Sequence, residues 1–295
     1  YTTLFRSNTR EEKEQDRIRH VDIVNAQTGP IFLTYRGTEV LKACEKRAKQ
    51  QPPLYDFVSE DGIRHRVWRV ADPAEVAAIT EGFRAVPTTY IADGHHRAAS
   101  AVKVALKRRA EHPDYKGTEE FNYFLSVLFP EEELRILPYN RVVADLNGES
   151  PADLLLALDQ AFTIRDNGET VPTPGKKGEV GMYLDGHWYA LCVREELREE
   201  DPVEGLDVSF LQNLVLAPLL GIEDPRTSER IRFIGGIRGS EELERLVDQK
   251  GGVAFLMYPT QMEELLSVAD AGLLMPPKST WFEPKLRSGL FIHTL

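Results

Sequence analysis

The sequence predicts an α+β fold of mixed sheets with flanking helices, and three observations predict it. Strand-like and helix-like segments mix along the chain, sometimes alternating and sometimes as hairpins. Asp61-Gly62 and Asp185-Gly186 each join two strand-like runs, and Asp-Gly supports the positive φ angles of tight hairpin turns. The run TTYIA then passes through Asp93-Gly94 directly into a long helical segment, giving a strand, turn and helix in succession.

The charged segment after Asn8 predicts a helix with Ile18, Val21, Ile23 and Val24 on its apolar side, ending near Gly29-Pro30. Residues 31–35, IFLTY, predict a buried strand, followed by a helix over 39–50 and the first hairpin. Asp72 is placed to cap a helix to about Phe83, with Pro73 at its first position, where its missing N–H costs nothing. The helix after Gly94 is expected over 95–110. FNYFLSVLFP and LRILPYNRVVADL predict strands, Ser150-Pro151 opens another helix, and EVGMYL and HWYALCV flank the second hairpin. Helices are expected over 208–220, 240–250 and 260–269, with a strand over 253–258. Residues 166–179 are the best internal loop.

Composition narrows the function classes. The 36 Lys and Arg against 47 Asp and Glu give a net charge of −11, which disfavours general binding to a phosphate backbone. The basic run 103–109 spaces Lys103, Lys107 and Arg108 as a solvated helix face. The apolar run 214–220 is far short of the roughly 18 residues that cross a membrane, so neither nucleic acid nor membrane is an expected partner. Cys44 and Cys192 sit among apolar neighbours and are expected as reduced thiols, in keeping with a cytoplasmic location. The first seven residues, YTTLFRS, lack a leading Met and reverse-translate as TAC ACG ACG CTC TTC CGA TCT, similar to a sequencing adaptor. Residues 1–7 are therefore expected to be an artefact of an N-terminally truncated fragment.

The chemistry concentrates at Asp93, Gly94, His95, His96 and Arg97. The first N–H groups of a helix have no intrahelical acceptor, and the helix dipole favours an anion there. Gly94 permits close approach, while His96 and Arg97 add donors, Arg97 as a planar fork that matches phosphate oxygens. His95 is a candidate proton donor. Asp93 is a candidate to hold Mg²⁺, orient a histidine or accept a hydroxyl proton, with a plain helix cap as the alternative. Adjacent histidines diverge on a helix and no third His or Cys lies nearby, which disfavours zinc. No Walker loop or GxGxxG loop is present. These residues alone indicate a phosphate site.

With NTREEKEQDRIRH, TGPIFLTY, YIADGHHRAAS and MPPKSTWFEPKLRSGLFIH in order, the chain resembles the DUF1015 family over nearly all of 8–295. Its Asp-Gly-His-His-Arg segment is similar to the phosphate motif of free serine kinases built on the ParB/sulfiredoxin fold. The resemblance implies a ParB/sulfiredoxin-like substructure and phosphate transfer from ATP, ADP or pyrophosphate, with Mg²⁺, to free L-serine. It assigns Gly94, His95, His96 and Arg97 to phosphate, and Asp93 to the hydroxyl or the metal. Sulfiredoxins carry Gly-Cys-His-Arg in the comparable segment; His95 replaces that cysteine and removes the thiol nucleophile.

Arg17, sharing a helix face with Lys13 and His20, is a further phosphate candidate, as are Lys278 and Ser279 in the turn after Pro276-Pro277. The resemblance also expects a His-Glu pair just before Asn8, where Arg6-Ser7 stand; if that glutamate is the base, this chain is inactive. Region 8–145 is expected to hold the phosphate site, and 146–295 a C-terminal α+β region packed on it, as one family unit. Expected partners are serine and the phosphate donor, with a homodimer as the macromolecular assembly considered. The alternatives are a ParB-like nucleotide-binding switch and a metal-dependent hydrolase using Asp93, His95 and His96.

Overall fold

The computed structural model describes residues 2–3 and 11–295, with side chains from Gln15 onward. The chain forms two compact units. The first takes 11–134, the tail Leu286–Leu295 and strand β1 (Thr2–Thr3); the second takes Arg135–Lys285. The first unit therefore closes before the expected 145, and the last ten residues return to it. The reason is pairing: the segment after Leu134 bonds into the second unit's sheets.

In the first unit, α1 (Glu11–Val24) leads to β2 (Ala26–Gln27) and β3 (Ile31–Tyr35). Then come α2 (Glu39–Ala48), the hairpin β4 (Tyr55–Val58) and β5 (Arg64–Val67), and α3 (Pro73–Arg84). The expected cap holds: Asp72 accepts from the Ala74 and Glu75 amides at 2.9 and 3.1 Å. Strand β6 (Thr89–Asp93), α4 (His95–Glu111) and β7 (Ser126–Pro130) complete the unit, and a C-terminal strand, His293–Thr294, pairs with β2. The four-stranded sheet runs β1-β6-β3-β7, with β6 antiparallel to β3 and the other two pairings parallel. Ile31, Leu33, Ile91 and Ala98 pack α4 onto it, each larger aliphatic contributing about 1.5–3 kcal/mol by burial.

Two expectations about helix faces are corrected. Ile23 and Val24 are exposed, at 76% and 48%, and only Ile18 and Val21 turn inward. The basic run does not simply face solvent: Lys107 pairs with Asp22, and Arg108 reaches Asp22 at 3.5 Å and Asn25 Oδ1 at 2.6 Å. Polar links thus join α1 to α4 where an apolar stripe is lacking.

The second unit opens with β8 (Arg135–Leu137) and β9 (Tyr139–Val143), one expected strand that Pro138 splits in two because it lacks a ladder N–H. α5 (Pro151–Leu158), capped by Ser150, precedes β10 (Phe162–Gly168), β11 (Glu179–Leu184) and β12 (His187–Val193). The expected helix over 208–220 is instead a short α6 (Asp207–Leu211) that widens into a π-turn, Gln212–Leu216. β13 (Ile231–Gly235), α7 (Glu241–Lys250), β14 (Val253–Met257), α8 (Met262–Asp270) and β15 (Trp281–Glu283) follow; the His293–Thr294 strand is β16. The six-stranded sheet, β10-β12-β11-β14-β9-β13, is antiparallel throughout. Its large core includes Leu158, Phe162, Met182 and Phe255, all 1% exposed or less. Mixed sheets flanked by helices make this an α+β protein. Among the described residues no helix is long and apolar enough to cross a membrane.

A candidate phosphate site at the start of the fourth helix

The site begins where β6 ends. Gly94 adopts φ +90°, the left-handed region, and is the N-cap of α4 without any side-chain cap. Asp93 does not cap the helix in the usual way. Its Oδ1 accepts from the adjacent Gly94 N–H at 2.7 Å, leaving the carboxylate exposed beside the first turn. The first intrahelical bond runs from Ala98 N–H to the Gly94 carbonyl, so the amides of His95, His96 and Arg97 begin the helix with no acceptor among the described residues.

Three side chains surround those amides. Nε2 of His95 and Nδ1 of His96 are buried and have no hydrogen-bond partner among the described residues. Such nitrogens are costly to leave unmatched. Burial holds the His95 imidazole below its ordinary pKa, against the opposing pull of Asp93 and with His96 and Arg97 reinforcing it. The ring is therefore neutral at pH 7, with one N–H donor and one acceptor.

Arg97 folds back toward the start of its own helix, with Nε donating to the Pro30 carbonyl at 3.0 Å. A Cβ added at Gly94 would lie 2.8 Å from Arg97 Nη2, and one at Gly29 would lie 3.7 Å from Arg97 Cδ. Gly94 thus leaves room for this arginine, while a side chain at Gly29 would only touch it, and the Pro30 carbonyl anchors it. In the sequence Gly29-Pro30 mark a helix end and fall in the TGPIFLTY run, with no part assigned in the phosphate site.

Arg17 and His20 from α1 line the same small cavity as Arg97 and Ser100, about 40 Å³ in volume. That space suits a water. Lys13 is on α1, but its side chain lies outside those described.

Lys278 and Ser279 belong to the second unit. Ser279 is 4% exposed, and its hydroxyl donates to the Pro276 carbonyl at 2.6 Å, which makes it a staple of its own turn. The Lys278 ammonium lies 5.4 Å from the centre of the Tyr139 ring.

Among the described residues no three His, Cys, Asp or Glu side chains converge as metal ligands, so Asp93, His95 and His96 do not form a zinc-type set. Asp93 alone fits Mg²⁺, which takes one or two carboxylates and completes its shell with water and phosphate oxygens.

No curated protein is similar in sequence. Among solved structures, a free serine kinase in complex with AMP is similar at 12% identity and a TM-score of 0.41, over 95% of this chain and 83% of that one. SbnI with a C-terminal truncation, from Staphylococcus aureus, is similar at 11% identity and a TM-score of 0.49, over 97% of this chain and 80% of the other. A conserved hypothetical protein from Pyrococcus furiosus gives 11% identity and 0.42, over 97% and 89%. The model of the family described as "Protein of unknown function (DUF1015)" matches residues 7–209, well over half of the 295, and the chain belongs to that family.

Proposed function

We propose that the first unit binds the phosphate groups of ATP, ADP or pyrophosphate, as part of a small-molecule kinase whose acceptor is free L-serine. One observation carries the phosphate reading: among the described residues, the first amides of α4 and two buried imidazole nitrogens have no hydrogen-bond partner, and the anchored Arg97 stands beside them. Serine as acceptor, and a ParB/sulfiredoxin-like character for this substructure, rest on the similarity of Asp93–Arg97 to the serine-kinase motif.

In this scheme the amides of His95, His96 and Arg97, with the Arg97 guanidinium, hold the transferred phosphoryl oxygens and spread their charge. The exposed Asp93 carboxylate accepts the proton of the serine hydroxyl as its oxygen bonds to phosphorus. The bond to the leaving phosphate oxygen breaks, and its electron pair stays with the departing ADP, AMP or phosphate. Neutral His95 donates a hydrogen bond to that leaving oxygen and keeps its proton. Arg17, which lines the same cavity as Arg97, is a second cation. Mg²⁺, when held by Asp93 and the phosphates, would neutralise charge on the transferring group.

Calorimetric titration with pyrophosphate and with ADP tests the binding step without needing turnover. Arg97→Ala removes a charge-assisted contact of about 1.5–3 kcal/mol, a weakening of roughly ten- to hundredfold. Unchanged affinity in a folded variant would sink the phosphate reading. Incubating the protein with serine and each donor then tests the acceptor; no phosphoserine despite tight nucleotide binding would favour a nucleotide-dependent switch.

A further inference from the structure

The second unit holds a separate cavity of about 360 Å³. It lies within that unit, lined by α6, the π-turn, β9, β13 and the Pro276-Pro277 corner, and nothing about the phosphate site bears on it. The volume is within the range of small-molecule pockets.

A buried cation lines it. Arg141, on β9, is 3% exposed. Its guanidinium donates to the Tyr139 carbonyl and, at 3.2 Å, to the Lys278 carbonyl, and it lies 5.5 Å from the centre of the Phe233 ring on β13. Among the described residues no carboxylate forms an ion pair with it. Burial pulls its pKa down to about 10, so it stays charged at neutral pH. Arginine has five N–H donors, and two carbonyl bonds leave several to be satisfied. A buried charge without a counter-charge is expensive, and an anion entering the cavity would relieve it.

A buried acceptor lines the same space. Gln212 opens the π-turn, and its Nε2 donates to the carbonyls of Ile222 and Glu223 at 2.8 and 3.3 Å. Those two acceptors fix which way the amide points. Its Oε1 is thereby left buried with no partner among the described residues, an acceptor that calls for a donor. Exposed acids stand at the rim: Glu204, which takes a bond from Asn213 Nδ2 at 2.7 Å, and Glu223. Asp224, also at the rim, is already matched by Arg226, 2.8 Å away. The remaining wall is apolar, with Val208, Leu216, Phe233 and Pro277.

These groups select among ligands. A polyphosphate would meet one guanidinium without a counter-charge and a rim of carboxylates, which repels a multiply charged anion. A simple amine would meet Arg141. A molecule with one carboxylate, one ammonium and an apolar remainder satisfies all of them. We propose that this cavity binds a free α-amino acid with an apolar side chain, its carboxylate on Arg141, its ammonium toward Gln212 Oε1 and the Glu204 side of the rim, and its side chain against Val208 and Phe233.

The test is calorimetry and thermal denaturation of the whole chain with L-leucine and L-phenylalanine. Acetate, isoamylamine and inorganic phosphate are the comparison probes, because each carries only part of the pattern. One of the amino acids should bind and raise the melting temperature, and each comparison probe should bind at least about tenfold more weakly, the loss of one charge-assisted contact. Arg141→Met should abolish binding. Because Arg141 also bonds two carbonyls, Asn213→Trp is the second variant: it sits on the exposed rim, should fold normally and should block entry. No amino-acid binding at about 10 mM, ten times a millimolar Kd, overturns the proposal. So do phosphate binding more tightly than either amino acid, and unchanged affinity in folded Asn213→Trp.

Discussion

Gly94→Ala tests how the site is built, because two separable costs meet at one atom. The first is backbone strain: a residue with a Cβ held at φ +90° loses about 1–3 kcal/mol. The second is contact. The new Cβ would lie 2.8 Å from Arg97 Nη2, 3.0 Å from Nε and 3.1 Å from Cζ, so the guanidinium must shift. Shifting it breaks or lengthens its bond to the Pro30 carbonyl, a charged hydrogen bond contributing about 1.5–3 kcal/mol. Together the substitution should destabilise the first unit by about 2.5–6 kcal/mol, a large share of an ordinary domain's stability. The assay is urea unfolding with pulsed hydrogen exchange, read on peptides of the first unit, for Gly94→Ala, Arg97→Ala and the pair. In the Arg97→Ala background only the backbone strain remains, so the cost of Gly94→Ala should fall toward about 1–3 kcal/mol. Equal cost in both backgrounds would refute the packing of Arg97 on Gly94. A loss under about 0.5 kcal/mol in either would refute the strained turn as well.

The pH dependence has two opposed contributions. Burial depresses His95 below its ordinary 6.5, so the unfolded chain takes up the proton first. Stability from this group is present above about pH 6.5 and is lost as pH falls below it; His95→Gln should flatten that part of the first unit's profile, and an unchanged slope counts against a buried neutral ring. In the second unit, burial raises Asp207 to about 7, opposed mainly by the Gly178 N–H at 2.6 Å. The folded state therefore holds this proton between about pH 4 and 7, and stability declines as pH rises through that window. Asp207→Asn should remove the decline and be more stable than the parent at pH 8; equal stability there would contradict it. Ser279→Ala removes a buried hydroxyl donor and should cost about 1 kcal/mol of stability while leaving pyrophosphate affinity unchanged. A loss of affinity would return that turn to the phosphate site.

The local signals were the legible ones. Asp72-Pro73 and Ser150-Pro151 fixed two helix starts, and Asp185-Gly186 formed its hairpin turn with both φ angles positive. Asp93–Arg97 was legible as a phosphate candidate because strand end, glycine and helix start are consecutive in the chain. What escaped depends on distant partners. Arg97 meets Pro30 across 67 positions, and no local pattern encodes that bond. Ile23 and Val24 fit an apolar stripe by spacing, yet α1 joins α4 through Asp22, Lys107 and Arg108. The π-turn at Gln212–Leu216 interrupts a segment whose apolar content suited a regular helix. Arg141 looks like any strand arginine until its burial is known, so the second cavity left no trace in the sequence.

The central claim is that the first turn of α4 receives phosphate. The most direct measurement is a titration of the ¹⁵N-labelled protein with pyrophosphate, following the backbone amides. The amides of His95, His96 and Arg97 should shift together along one saturating curve, and the shifts should vanish in Arg97→Ala. Saturable binding that leaves these three amides unmoved would contradict it.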